Sequence, residues 1–522
     1  MSKLKSLPDR YRGILFVLLY GLLAQAPVWL ARARYEMVPN GWLCLDYLFI
    51  GIGALFFLPR LLAGVLLLAT ILADLAFAVS ITFYLPLEEC IPTLSFLKGL
   101  APGKLIAGIA VLFALVLLSS VAVFLPRPAK GRPRWYAAGV LAAICILSLL
   151  ADGVVYYRAY GVIPYISNGA QIKTGYQLAF MQQYRTGRIL VRQISSLLYT
   201  ERRKAATKSQ LTDERVKSVG EVQPAQSVTE MAMREAGIGS GAEADKPNLV
   251  VVVVESWGET TNPAVGAELE APYRQPEIQA RYRVVQGTVP FFGSTVAGEG
   301  RTLCGTTISY KLLKSTSSDL QNCVPARLNA QGYHSVSLHG MSGDLFDRVH
   351  WYSSMGFQEQ WFRNQFRAEG LPDCAEFFYG TCDAAIADWI GRRLATQQKQ
   401  PEFLYWVTLN THLSLPVPSP IDGDRPCAFS PQFTNDSQVC SWFHLEANVH
   451  RAIARMALGP QTRPTVFVVE GDHAPPFGNP SQRALFSGQN VPYLILLPRS
   501  SSQPAAQTAA AASGSAKHSD RN

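Results

Sequence analysis

Apolar and polar positions divide the 522-residue chain into two regimes. In the first 155 positions the apolar residues run in long blocks, at 13–31, 42–58, 61–84, 105–125 and 136–155. Each is near the ~20 residues that carry a helix across a bilayer, so five membrane spans are predicted. The second block is the shortest, and little more than Pro59 and Arg60 separates it from the third. Those two also read as one long hairpin. Beyond position 247 the apolar runs shorten and gain β-branched residues. NLVVVVVESWGE (248–259) holds five consecutive valines and stops abruptly at Glu255. A run of that length with polar flanks reads as a buried strand.

Three later stretches repeat the pattern. HSVSLHG (334–340) alternates and ends on His339, FLYWVTLNTH (403–412) ends on His412, and TVFVVEGDH (465–473) ends on Asp472 and His473. YLILL (493–497) is the last candidate strand. Strand-like runs alternate with helical patterns, which predicts an α/β sheet with helices on both faces. In such sheets ligands bind outside the carboxyl ends of the strands. Taken singly, each residue has a plainer reading, such as a surface Glu at a strand exit or a satisfied His in a strand. Four strands delivering metal-type or phosphate-type ligands at the same end point to one shared edge. AGEGRTLCGTTISY (297–310) adds a polar segment flanked by glycines before a run that could start a helix. Thr302 is the hydroxyl best placed there, either to face an anion or simply to cap the helix.

Composition supports the division. The chain is 48% hydrophobic and only 16% charged, which fits a membrane portion. Lys3, Lys5, Arg10 and Arg12 precede the first span, and Arg127, Lys130, Arg132 and Arg134 lie between the fourth and fifth. The positive-inside rule then puts everything after 155 outside. A cleaved first segment would give the same placement. Asp74 falls inside the third span, where a carboxylate is expected to face the bundle interior. Cys304, Cys323, Cys374, Cys382, Cys427 and Cys440 all lie on the external side, and an even count in an oxidising compartment reads as disulfides, nearest neighbours pairing. The net charge of +9 is spread along the chain without a basic, aromatic-interleaved patch, so nucleic acid is not an expected partner. The division is therefore a transmembrane domain at 1–155, juxtamembrane helices and linker at 156–246, of which 201–246 also read as helices lining the next domain, a globular domain at 247–498 and a disordered tail at 499–522.

VVVVES, GEGRT, HGMSGDLFDRVHWYSSMGF, NTHLSLP and EGDHAPPF, in that order, resemble the sulfatase-like branch of the alkaline phosphatase superfamily. The organisation is similar to membrane-bound lipoteichoic acid synthases, phosphoglycerol transferases and phosphoethanolamine transferases. The resemblance implies an alkaline-phosphatase-like α/β domain with a central, mostly parallel sheet. It implies one divalent ion, Zn²⁺ or Mn²⁺, on Glu255, Thr302, Asp472 and His473, with Thr302 also the nucleophile. His339, Arg348 and His412 would hold phosphoryl oxygens, and Phe346 stands where the synthases carry an aromatic residue. Met341 departs from the pattern, replacing an acidic residue two positions after His339.

The function so implied is a membrane-anchored transferase of the bacterial inner membrane with a periplasmic catalytic domain. It would move phosphoglycerol or phosphoethanolamine from a phospholipid donor to a lipid-linked or polysaccharide acceptor, through a phosphothreonine. A sulfatase-like hydrolase or phosphodiesterase is the alternative. The C/S-x-P-x-R signature of sulfatases is missing, since Gly-Thr-Thr follows Cys304. A non-enzymatic lipid-binding protein should have lost its metal ligands, and these are present.

Overall fold

The computed structural model describes residues 9–35, 44–82, 102–125, 127–128, 130–160, 222, 224–239, 246–375, 379–413, 415, 436–477 and 480–499. The first 160 residues form helices α1 (Asp9–Tyr35), α2 (Leu45–Phe56), α3 (Arg60–Thr82), α4 (Pro102–Phe124) and α5 (Arg132–Tyr160). They coincide with the five apolar blocks. Tyr20, Leu45, Tyr47, Leu67, Ile71 and Leu141 are among the buried residues of their shared core. Asp74 is buried, as expected of a carboxylate facing a bundle interior. Many outward positions are apolar, including Leu18, Leu61, Val65, Ile109, Phe113 and Leu147. Among the described residues no helix is long and apolar enough to cross a membrane.

A second core is built on a seven-stranded sheet. Its strands are β1 (Asn248–Val254), β2 (Tyr282–Pro290), β3 (His334–His339), β4 (Glu359–Trp361), β7 (Glu402–Val407), β8 (Thr465–Gly471) and β9 (Asn490–Pro498). A small hairpin, β5 (Asp373–Ala375) with β6 (Tyr379–Thr381), stands apart. The sheet order is β2-β9-β8-β1-β7-β3-β4. The centre is parallel, and β9 pairs antiparallel with both β2 and β8. The valine run is central because every residue of β1 is buried, and strands covered on both faces read as unbroken apolar runs. Register then decides what meets what. Val254 lies opposite Gly471, Val253 opposite Val407, and His339 opposite Val407. The residues that follow β1, β3, β7 and β8 therefore emerge at one edge.

Helix α6 (Val228–Glu235) joins this unit, one of the two readings of the 201–246 stretch. Val228, Ala232 and Met233 enter its core, and Ser227 Oγ donates to the carbonyl of Thr302 at 2.9 Å. Pro224 also bridges to Thr306, so this packed unit takes in described residues ahead of position 247. Three further helices shape the site: α7 (Thr295–Cys304), α8 (Arg348–Met355) and α9 (Asp383–Ala395). The long α10 (Ser437–Leu458) buries Trp442, Glu446, His450 and Ile453. Cys304 pairs with Cys323 and Cys374 with Cys382. Cys440 is also disulfide-bonded; Cys427 lies outside the described residues, as do 161–221 and 500–522.

Candidate active site

Three ligand-type side chains meet at the strand edge. Glu255, Asp472 and His473 are all buried, with one potential ligand atom from each within 4.8 Å of the others. The chain makes this possible by turning sharply after β1. Ser256 takes a φ of 62°, in the left-handed region that non-glycine residues rarely occupy. The turn is held from three sides. Ser256 N–H donates to Asp472 Oδ1 at 2.8 Å, Ser256 Oγ donates to Glu255 Oε1 at 2.9 Å, and Trp442 Nε1 donates to the Ser256 carbonyl at 3.0 Å. On the neighbouring strand Gly471 must be glycine, because a Cβ there would stand 1.9 Å from the Trp257 carbonyl oxygen.

The donor set fits a divalent cation. Asp472 Oδ2 is buried with no hydrogen-bond partner among the described residues. Burial, and then the Glu255 carboxylate, push Asp472 up to about 7. Two carboxylates in one buried site call for a positive charge between them. His473 Nδ1 bonds to the Ala474 carbonyl at 2.9 Å, which fixes Nδ1 as the donor and leaves Nε2 as the lone-pair nitrogen. That Nε2 lies 3.3 Å from Asp472 Oδ2 and 3.5 Å from Glu255 Oε1. Oxygen and imidazole ligands suit Zn²⁺ or Mn²⁺ alike.

The hydroxyl expected to complete the set sits elsewhere. Thr302 is not at a helix start; Ser294 is the N-cap of α7 and Thr302 lies in its last turn. Its Oγ1 donates to the Gly298 carbonyl at 2.9 Å and forms a short contact with the Glu470 carboxylate. The residue that reaches the cluster is Thr295, the first of the helix, whose Oγ1 donates to Glu255 Oε2 at 2.9 Å. The N-terminus of α7 also presents the positive end of the helix dipole to this carboxylate. Gly298 lets the helix come this close, since a Cβ there would stand 2.9 Å from Asp472 Cβ.

The phosphate-type residues gather beside this cluster, but not as a free clamp. Arg348 is buried, and its Nε and Nη2 both donate to Glu299 Oε1, at 2.9 and 2.7 Å. The edge of the guanidinium expected to fork onto a phosphate is thus occupied, while Nη1 lies 3.5 Å from the Leu345 carbonyl. Burial opposes the charge of Arg348, but Glu299 outweighs it and the pKa rises. The Phe346 ring lies 5.4 Å from that guanidinium, on a backbone where Phe346 and Asp347 both take positive φ. His339 Nδ1 bonds to the Val407 carbonyl at 3.0 Å, while its buried Nε2 has no partner among the described residues. Burial, then the charge of Arg348, hold His339 down to about 3. Burial likewise lowers His412 to about 4, and its Nδ1 bonds to the Leu413 carbonyl. Both rings are neutral at neutral pH. Met341, at the departed position, is buried.

Several working residues escaped the sequence reading. Asp383 accepts from the backbone N–H of Leu409 and of Asn410, and Asn410 Oδ1 accepts from Asp383 N–H at 2.7 Å, locking the turn that carries His412. Thr408 Oγ1 accepts from Glu255 N–H at 2.9 Å. Arg301 Nη2 donates to the Gly471 carbonyl at 2.6 Å and lies 3.5 Å from Glu470, tying α7 to β8. The spacing Thr295, Glu299, Thr302 is one helical face. A helix start placed at Ser294 would have disclosed it.

The Sulfatase family model matches residues 247–520. Among curated proteins none matches the chain. Solved structures with a similar arrangement include the lipoteichoic acid synthase LtaP from Listeria monocytogenes (14% identity, 51% of this chain and 71% of that one, TM-score 0.36). Another is the Streptococcus pyogenes phosphoglycerol transferase GacH in complex with sn-glycerol-1-phosphate (14%, 51% and 72%, TM-score 0.30). A third is the C-terminal periplasmic domain of EcEptC from Escherichia coli (16%, 50% and 74%, TM-score 0.29).

Proposed function

The chain belongs to the sulfatase family through residues 247–520, and from that premise we propose a metal-dependent phosphoryl-ester transferase whose nucleophile is Thr295. The transferred group is a phosphoglycerol or phosphoethanolamine head group, taken from a phospholipid and passed to a lipid-linked or polysaccharide hydroxyl. The observation that carries this reading is the Thr295 hydroxyl on Glu255, beside Asp472 and His473. Glu255, Asp472 and His473 would hold a divalent ion; when bound, it supplies positive charge that lowers the cost of an ionised hydroxyl.

The remaining chemistry is the protein's own. Thr295 oxygen bonds to phosphorus as the phosphorus–oxygen bond to the diacylglycerol breaks. Its proton already points at Glu255 Oε2, and it passes by way of that carboxylate and solvent to the departing oxygen, which leaves as the hydroxyl of diacylglycerol. Arg348 Nη1 offers a donor to a phosphoryl oxygen. An acceptor hydroxyl then bonds to phosphorus as the bond from phosphorus to the Thr295 oxygen breaks, its proton returning to Thr295 by way of Glu255 Oε2. Cys304 is held in a disulfide with Cys323, so it is not the modified cysteine of a sulfatase.

We propose that the α1–α5 unit anchors the chain at a bacterial inner membrane with the catalytic unit on the periplasmic side, although none of these helices, among the described residues, is by itself long and apolar enough to cross. The outward apolar residues of these helices and the basic flanks of the chain support this. Such anchoring brings the site to a donor that resides in the bilayer. The test uses the full chain in detergent with labelled phosphatidylglycerol and phosphatidylethanolamine. Diacylglycerol release and a phospho-adduct mapped to Thr295 are expected, and the adduct mass names the group. An adduct on Thr302 would overturn the assignment of the nucleophile. Release with no adduct on either threonine would point to a phosphodiesterase using water.

A further inference from the structure

Glu299 has no part in the cluster of metal-type ligands, yet it is fully buried on the same helix as the candidate nucleophile. It stands four residues after Thr295, so both side chains lie on one face of α7. One of its oxygens takes both Nε and Nη2 of Arg348, at 2.9 and 2.7 Å, and the other lies 3.4 Å from the Tyr352 hydroxyl. Arg348 belongs to α8, whose Val349 N–H donates to the Gly343 carbonyl at 3.0 Å in the loop that follows β3. Its charge is felt by His339 and His412, both of which it helps hold neutral.

From this geometry we infer that Glu299 is a positioning residue: it fixes the guanidinium plane of Arg348 so that Nη1 faces the phosphoryl group attacked by Thr295. The inference rests on the transferase reading above. Stability alone does not account for the pair. Two charges buried this deeply lose about as much in desolvation as they recover, and apolar residues of similar volume often serve folding as well or better. What the pair supplies is register. A single ten-residue helix sets the nucleophile at its first position and, one turn later, the direction of the cation. A long, rotamer-rich side chain is thereby held before substrate arrives, and the entropy of orienting it is not charged to the reaction. Phe346 lies against the guanidinium and leaves it less room to swing away.

The test is a double-mutant cycle on the metal-loaded full chain, read as kcat/KM for p-nitrophenol release from bis(p-nitrophenyl) phosphate. Glu299→Gln is expected to lower kcat/KM at least 30-fold and Arg348→Ala at least as much. The double variant should fall within 2-fold of Arg348→Ala alone, because Glu299 acts only through the arginine. Bound-metal stoichiometry should match the parent in all three, which a general loss of structure would not allow. If Glu299→Gln does not fold, Glu299→Asp keeps the charge and withdraws it by one methylene; a loss of 5-fold or more, absent again in the Arg348→Ala background, is expected. Losses that multiply in the double variant, or Glu299→Gln at parental rate while Arg348→Ala is impaired, would overturn the inference and leave the transferase reading standing. Parental rate in Arg348→Ala would overturn the inference together with the role of Arg348 in that reading.

Discussion

The site has a strand-borne half and a helix-borne half, and they are built on different principles. Glu255, His339, Asp472 and His473 stand at the ends of parallel strands whose register is fixed by backbone hydrogen bonds. Their convergence follows from topology. Thr295, Glu299, Arg301 and Thr302 stand on α7, a helix whose residues 295–303 are all buried. Its polar side chains are matched one by one: Thr295 to Glu255, Glu299 to Arg348, Arg301 and Thr302 to Glu470. The strand edge supplies charge at a fixed place, and the helix supplies a hydroxyl and the cation's orientation. A change in the first half should therefore remove the chemistry. Along the helix the effect should depend steeply on position.

Thr295→Ala and Asp472→Ala test the point where the halves touch, and carry the largest expected effect. Each should lower diacylglycerol release by roughly 10³-fold or more while the protein still folds. Asp472→Ala should also lower bound metal, whereas Thr295→Ala should leave it near parental. Near-normal turnover by Thr295→Ala would separate the two halves and end the assignment of that hydroxyl.

The far end of α7 is tied down by covalent chemistry instead. Cys304 closes a loop to Cys323, 19 residues on. Replacing both by Ser should cost ~2–4 kcal/mol of unfolding free energy, read by denaturant titration. The rate per folded molecule should change little. A rate loss like that of Thr295→Ala, without a stability loss, would mean that the helix end also belongs to the chemistry.

How much of this was legible divides along the same line. A β-branched run such as 250–254 has one sensible place, the middle of a parallel sheet, and ligands at strand ends share an edge by geometry. The strands, the strand order's parallel centre and the pair Asp472–His473 were therefore readable. The helix was not, because α7 has no apolar stripe. It is buried through paired charges and glycines, and hydrophobic periodicity is silent about such a segment. The glycines at 298 and 300 read as a turn ahead of a helix, which makes Thr302 look like a cap and hides Thr295. The Glu299–Arg348 pair was invisible for a related reason, since 49 residues separate the partners and only the fold brings them together. The same holds for Asp383 and the turn at Asn410.

Thr302→Ala sharpens the contrast within one helix. The substitution removes a donor from Glu470, which is fully buried and, among the described residues, has Arg301 at 3.5 Å. An incompletely satisfied buried carboxylate costs ~1–3 kcal/mol, so the melting temperature should fall. Turnover per folded molecule should stay within a few-fold of parental. If Thr302→Ala instead abolished turnover and Thr295→Ala did not, the roles along α7 would be reversed.

The smallest effect concerns what supports the strand edge from behind. On α10, His450 is fully buried, with Nδ1 3.0 Å from the Tyr273 hydroxyl, Nε2 4.0 Å from Glu446, and its ring centre 4.4 Å from that of Trp257, which follows the Ser256 turn. Burial lowers its pKa to about 3. Below the ordinary histidine value of ~6.5, the unfolded chain protonates this ring and the folded chain does not. The unfolded state then binds the extra proton, so stability falls as pH falls through this window. The contribution is fully present above ~6.5 and shrinks by about 1.4 kcal/mol per pH unit once the unfolded ring is protonated. His450→Gln keeps a partner for Tyr273 but cannot titrate. Between pH 5.5 and 4.5 its stability should fall less steeply than the parent's by about that amount, with Glu446 present in both. Parallel stability–pH curves would show that His450 is protonated in the folded protein, and that the support behind the Glu255 turn is looser than the packing of Trp257 implies.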